Sequence, residues 1–104
     1  MKFIEQIRKI AEQNIIYTIH SLEEMNDEEE LITTDEIREV IFDGEIIEDY
    51  PEDKRGHSCL MFAMTKKERP LHILVAPKAD YLAIITTYIP SEKKWERNYK
   101  TRKK

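Results

Sequence analysis

The spacing of apolar residues changes period at Gly44, and that change limits what the chain can fold into more than any other feature. Before it, Phe3, Ile4, Ile7, Ile10 and Ala11 recur every three or four residues, so an amphipathic helix is predicted over residues 2–13. Ile15, Ile16 and Tyr17 read as a short apolar link. A second, shorter helix is expected from His20 to about Glu30, offering Leu22 and Met25 to the interior and fraying into a run of acid. Thr33-Thr34-Asp35-Glu36 has the form of a capping box, in which the Thr33 hydroxyl and the Glu36 carboxylate take up free N–H groups at the start of the helix of Ile37, Val40 and Ile41. Gly44 is its stop signal.

After Gly44, Ile46–Tyr50, Ser58–Met64, Leu71–Ala76 and Leu82–Ile89 are short β-rich runs separated by the turn-forming stretches PEDKRG, KKERP and PKAD. They predict strands over residues 45–50, 57–65, 70–77 and 81–89, joined as an antiparallel meander. Pro90 ends the last strand, and Ser91 is placed to cap a closing helix through Trp95 and Tyr99 ahead of the basic tail KTRKK. The expected class is α+β: N-terminal helices packed on one face of a four-stranded antiparallel sheet, with a short C-terminal helix. At 104 residues, with no repeat or linker, residues 1–104 are expected to form a single domain around one core.

Composition narrows the function classes. Charged residues make up 37% and hydrophobic ones 40%, which suits a soluble ordered domain. Cys59 stands alone, so neither an internal disulfide nor a cysteine-based zinc site is available, and a reducing, cytoplasmic setting is expected. Charge interrupts the N-terminus every few residues, and no apolar run approaches the ~18 residues of a membrane span, so neither export nor a membrane is expected. There is no glycine-rich phosphate loop, no His-x-x-x-His pair and no paired cysteine; no metal and no cofactor is expected. Net charge is −4, but residues 21–53 carry fifteen acidic side chains against one basic, and residues 54–104 thirteen basic against four acidic. Such segregation fits a local basic surface able to meet RNA, or a partner that covers the acidic part.

His20, His57 and His72 fall on three separate elements, so any constellation among them has to be made by the fold. Strand alternation puts Leu71, Ile73 and Val75 opposite His72, Leu74 and Ala76, and Leu82, Ile84, Thr86 and Tyr88 opposite Ala83, Ile85 and Thr87. A lone strand histidine is more often structural than catalytic. In the first hairpin, Gly56 allows a turn with positive φ, and Arg55 beside it either holds a phosphate bidentately or answers the Glu52 and Asp53 carboxylates.

The stretch GEIIEDYPEDKRGHSCL, continued by RPLHILVA and IITTYIPSEKKW and preceded by IHSLEEM and ITTDEIREVI, resembles domain-of-unknown-function family 4258 over roughly residues 16–99. The resemblance implies a fold akin to RelE, barnase and colicin-type RNases and membership of a toxin–antitoxin pair, often beside a zinc-ribbon antitoxin. Carried over by position, the family's histidine falls on His20, its Tyr-Pro on Tyr50 and Pro51, its Arg-Gly on Arg55 and Gly56, its strand histidine on His72, and its Thr-x-Tyr on Thr86 and Tyr88; His57 lies outside the pattern. Where members often carry arginines after the first histidine, this chain has Glu24 and Glu28.

The implied activity is metal-independent RNA cleavage by 2′-OH transesterification. His20 or His72 then serves as base or acid, Arg55 as phosphate clamp and Tyr88 as donor or acid, with Tyr50, Gly56 and Thr86 in supporting binding positions. His20, Arg55 and His72 are expected to border one cleft, with Tyr88 nearby. The alternative is a catalytically inactive binding module on the same fold, towards which the anions at Glu24 and Glu28 point.

Overall fold

The apolar stripe forms helix α1 (Phe3–Gln13), and the capping box opens helix α3 (Thr34–Asp43), in a computed structural model that describes residues 1–104. Both halves of the box are made: the Thr33 hydroxyl accepts from the Glu36 N–H at 3.1 Å, and Glu36 Oε1 accepts from the Thr33 N–H at 3.2 Å. Helix α2 (Ile19–Met25) stops well short of Glu30. There the Asp27 carboxylate accepts the Glu29 and Glu30 N–H groups, a local turn that outcompetes a helix of like charges. No helix is long and apolar enough to cross a membrane.

The sheet departs from the expected four antiparallel strands. Ile15–Tyr17, read from sequence as a link, is strand β1, followed along the chain by β2 (Glu45–Tyr50), β3 (Ser58–Met64), β4 (Pro70–Pro77) and β5 (Leu82–Tyr88). Their spatial order is β1-β5-β4-β3-β2, a five-stranded mixed sheet in which β1 runs parallel to β5 through the pairs Ile15–Leu82, Ile16–Ala83 and Tyr17–Ile84. Three residues are too few to display a period, and their partner lies far along the chain, so the pairing left no local signal.

The closing helix is also absent. Ser91 accepts one turn of N–H groups from Lys94 and Trp95, after which the chain doubles back so that Trp95 bridges Arg102. Asn98 Oδ1 takes the N–H groups of Lys100 and Thr101, as an asparagine does in a turn. A helix this short and this cationic is marginal alone, and the contacts of Trp95 with the sheet win over it.

Helices α1 and α3 cover one face of the sheet, where Ile7, Ile37 and Ile41 are fully buried against Met61, Ile73, Val75 and Ile84. A bulge in β5 decides which side chains reach the other face. Val75 pairs with Ile84 but Leu74 with Thr86, leaving Ile85 unpaired and reversing the alternation. Leu82 and Ile84 therefore face the core, whereas Thr86 and Tyr88 join Leu74 and His72 on the open face; the four do not share one side as strict alternation predicts.

Gly44 does end α3, but through space rather than backbone handedness. Its φ is −89°, and a Cβ there would stand 2.5 Å from the carbonyl oxygens of Val40 and Phe62. Arg8 closes the same corner, donating to the carbonyls of Ile41 and Gly44 at 2.8 Å each. Gly44→Ala is expected to cost about 1–3 kcal/mol in urea unfolding, because backbone must move to make room.

Glu36 does more than cap its helix. Only 1% exposed, it accepts from Arg69 Nε at 2.8 Å and Nη2 at 2.6 Å and from the Thr65 hydroxyl at 2.9 Å, while Arg69 also donates to the Glu30 and Leu31 carbonyls. Burial by itself would raise the Glu36 pKa, but the Arg69, Thr33 and Thr65 hydrogen bonds overcome it and lower the pKa to about 2. With the folded value below its ordinary 4.5, Glu36 contributes stability that is complete above pH 4.5 and lost as pH falls towards 2. Glu36→Gln should lower stability at pH 7 by about 3 kcal/mol and flatten the dependence on pH across that window, measured by denaturant titrations at stepped pH.

Candidate functional site

Three features meet on the open face of the sheet. The first is the β2–β3 hairpin. Gly56 has φ +105°, backbone that only glycine adopts freely, and the turn it makes holds Arg55 against Asp53. Asp53 accepts from Arg55 Nε at 3.1 Å, from its Nη2 at 2.9 Å and from its backbone N–H at 3.0 Å, and takes the Ser58 hydroxyl at 2.7 Å. The Arg55 hydrogen bonds hold the Asp53 carboxyl well below the usual carboxylate range. The guanidinium is thus oriented and partly neutralised. Lys78, from the β4–β5 turn, donates to the Arg55 carbonyl and brings a second cation to the hairpin.

The second feature is the start of α2. The Thr18 hydroxyl caps the helix by accepting from the Ser21 N–H, and itself donates to the Ile85 carbonyl, fixing the helix to the bulge. His20 sits in the first turn with its side chain 67% exposed, and its Nε2 lies 3.3 Å from Glu24 Oε1. The same oxygen accepts from the Thr86 hydroxyl at 2.5 Å and the Thr87 N–H at 3.0 Å. Because β1 ends at Tyr17, the outer edge of β5 beyond Ile84 has no strand beside it. Glu24 and, at 3.3 Å from the Ile89 N–H, Glu30 supply the missing acceptors.

Between these features lies an open depression of about 470 Å³, with His20, Arg55 and Lys78 around it and Ala83 and Ile85 on its floor. Tyr50, 36% exposed, and Pro51 extend the surface past Arg55 towards Leu74, and the Tyr50 hydroxyl donates to Glu48.

The third feature is the row of β3, β4 and β5 side chains Phe62, His72 and Tyr88, in which Phe62 and His72 are buried and Tyr88 is half-buried. His72 is fully buried, with the Trp95 ring 4.4 Å away edge to face. Its Nε2 donates to the Tyr99 carbonyl at 2.6 Å, since a carbonyl can only accept, so in the neutral ring Nδ1 accepts the Tyr88 hydroxyl at 3.2 Å. Burial moves the His72 pKa down and pushes the Tyr88 phenol up to about 12, so both are held neutral. Arg102 packs over Trp95 and fixes Glu48 through two hydrogen bonds, of 2.8 and 3.0 Å, which lower the Glu48 pKa.

The fold therefore brings His20 and Arg55 to one depression and sets Thr86 beneath Glu24, but it buries His72 under the C-terminal segment and leaves Tyr88 half-buried at its edge. His57 lies apart, stacked on Phe3 at 3.5 Å and bonded to Asp49 at 2.6 Å. Reading from sequence alone named Asp53 only, with Glu52, as a carboxylate for Arg55 to answer, and missed Lys78 and the role of Glu24. The His20–Glu24 spacing of four on a helix was the available signal; the contacts of Asp53 and Lys78 depend on how the turns fold. No three His, Cys, Asp or Glu side chains converge as a metal site, and burial pushes the Cys59 thiol up to about 12, far from a reactive thiolate.

No curated protein and no solved structure matches the chain. The family model of a domain of unknown function, DUF4258, matches residues 8–89, from α1 to the end of β5, and with most of its length so matched the chain belongs to the DUF4258 family.

Proposed function

We propose that the protein is a metal-independent endoribonuclease, the toxin of a toxin–antitoxin pair, cutting RNA by attack of the 2′-OH on its own phosphate as RelE, barnase and colicin-type RNases do. The observation that carries this reading is an exposed histidine paired with a carboxylate on the wall of a depression that also holds two cations. With Nε2–H donated to Glu24, the free Nδ1 of His20 takes the 2′ proton, and Glu24 stabilises the imidazolium that forms. Glu24 then supports the base instead of repelling substrate. Arg55, aimed by Asp53, and Lys78 stabilise the charge that develops on the phosphorane, from which the P–O5′ bond breaks to leave a 2′,3′-cyclic phosphate while the departing 5′ oxygen takes a proton from solvent water. An RNA strand is the substrate, and a zinc-ribbon antitoxin carrying basic side chains is the fitting partner for the acidic stretch 21–53.

A second reading, the inactive binding module, has its own support: the Arg55 fork is occupied by Asp53, and His72 is neutral and enclosed. Activity separates the two. Partner-free protein is expected to cut RNA in EDTA, with His20→Ala losing at least ~100-fold and Arg55→Ala about 2–4 kcal/mol of barrier stabilisation. His57→Ala, on the helical side of the sheet, should leave the rate unchanged. Intact RNA after incubation with pure protein, with or without ribosomes, would establish the binding module instead.

A further inference from the structure

Residues 90–104 lie beyond the family match at 8–89, yet they roof the half of the open face that carries His72 and Tyr88. The roof is a doubled-back segment: the Lys103 N–H donates to the Lys94 carbonyl at 2.9 Å and the Glu96 N–H to the Thr101 carbonyl at 2.8 Å. Trp95, 2% exposed, is its large buried apolar anchor, with Pro90 buried at the root. Its other holds on the sheet are the Tyr99 ring tilted over Phe62 at 6.5 Å and three polar contacts: the Tyr99 carbonyl on His72, the Arg102 fork on Glu48, and Lys100 on Glu45 at 3.1 Å. Tyr99 makes its contact from φ +60°, left-handed backbone that costs a non-glycine residue roughly 1–2 kcal/mol.

The exposed Lys100–Glu45 pair contributes only about 0–1 kcal/mol, and phosphate competes for the guanidinium fork that holds Glu48. The other five cations of the segment, Lys93, Lys94, Arg97, Lys103 and Lys104, are exposed and pair with no carboxylate. They present an anionic polymer with a ready landing surface on the roof itself.

From this juxtaposition we infer that residues 90–104 are a latched strap, released when the phosphate chain of single-stranded RNA takes up its cations, and that release uncovers His72 on the same sheet face as the His20–Arg55 depression. The choice of RNA as the releasing polymer rests on the ribonuclease reading; the latch does not. Once uncovered, the His72 ring gains access to solvent and substrate beside the half-buried Tyr88, adding a titratable group that the closed form withholds.

Trp95 is the sole tryptophan, so its quenching by acrylamide reads the strap directly in the full-length protein. Quenching is expected to be slight in the wild type and to rise several-fold in Arg102→Ala and in Glu48→Gln with the far-UV circular dichroism unchanged. Polyuridylate at low salt should produce the same rise in the wild type, reversed by high salt. Trp95 protected in both variants, or accessible in the untreated wild type, overturns the strap; opening by the substitutions but not by polyuridylate overturns RNA as the releasing ligand. Opening without cleavage sinks the ribonuclease and leaves the strap, whereas full cleavage with Trp95 protected does the reverse.

Discussion

The buried ion pair between Glu36 and Arg69 ties together three parts of the chain that are far apart in sequence. Glu36 closes the start of α3, and Arg69 rises from the β3–β4 turn and also gathers the carbonyls of Glu30 and Leu31. One buried carboxylate thus sets the α2–α3 connection, the entry of α3 and the end of a hairpin in mutual register. Two charges in the interior are tolerated because Thr33 and Thr65 join Arg69 in satisfying the oxygens, so that no lone pair faces the core unpartnered. The position of α2, and with it His20, follows from that anchoring, since the connection leaving α2 ends on Arg69.

The acidic first half takes on a different meaning once β5 is seen to have an incomplete neighbour. A strand edge with free N–H groups invites pairing with another chain unless it is covered. Here carboxylates from α2 and the loop after it stand where the next strand's carbonyls would be, Glu24 on Thr87 and Glu30 on Ile89. Part of the negative charge concentrated in residues 21–53 is therefore structural, consumed in closing an edge. The same hydrogen bonds place Glu24 behind His20, so the edge closure and the candidate base share one side chain.

Two halves of the open face differ in state. Around the depression, His20, Arg55 and Lys78 are accessible; around His72, aromatic rings and the returning C-terminal segment exclude water and keep the titratable groups neutral. Proton transfer requires groups that can change charge, which the first half permits and the second withholds while the segment stays down.

By itself the sequence determined the elements whose causes are local. The apolar spacing of Phe3–Ala11 requires a helix, Thr33 and Glu36 close a capping box within four residues, and the four runs after Gly44 alternate over enough positions to be strands with the pairing order of a meander. His20 and Arg55 were legible as candidates, which the fold sets around one depression, and Gly56 as a positive-φ turn. What tertiary structure decided shares one physical cause: each outcome depends on groups far apart in the chain. The strand Ile15–Tyr17 exists because β5 offers an edge, the bulge at Ile85 turns Thr86 and Tyr88 to the open face, and residues 90–104 follow the sheet instead of coiling because Trp95 finds burial there. Helix and strand propensities are worth tenths of a kcal/mol per residue, and a buried indole or a satisfied edge outweighs them. Local pattern therefore specified the pieces, while long-range burial and hydrogen bonding chose which face each piece shows and which candidate residues stay within reach of solvent.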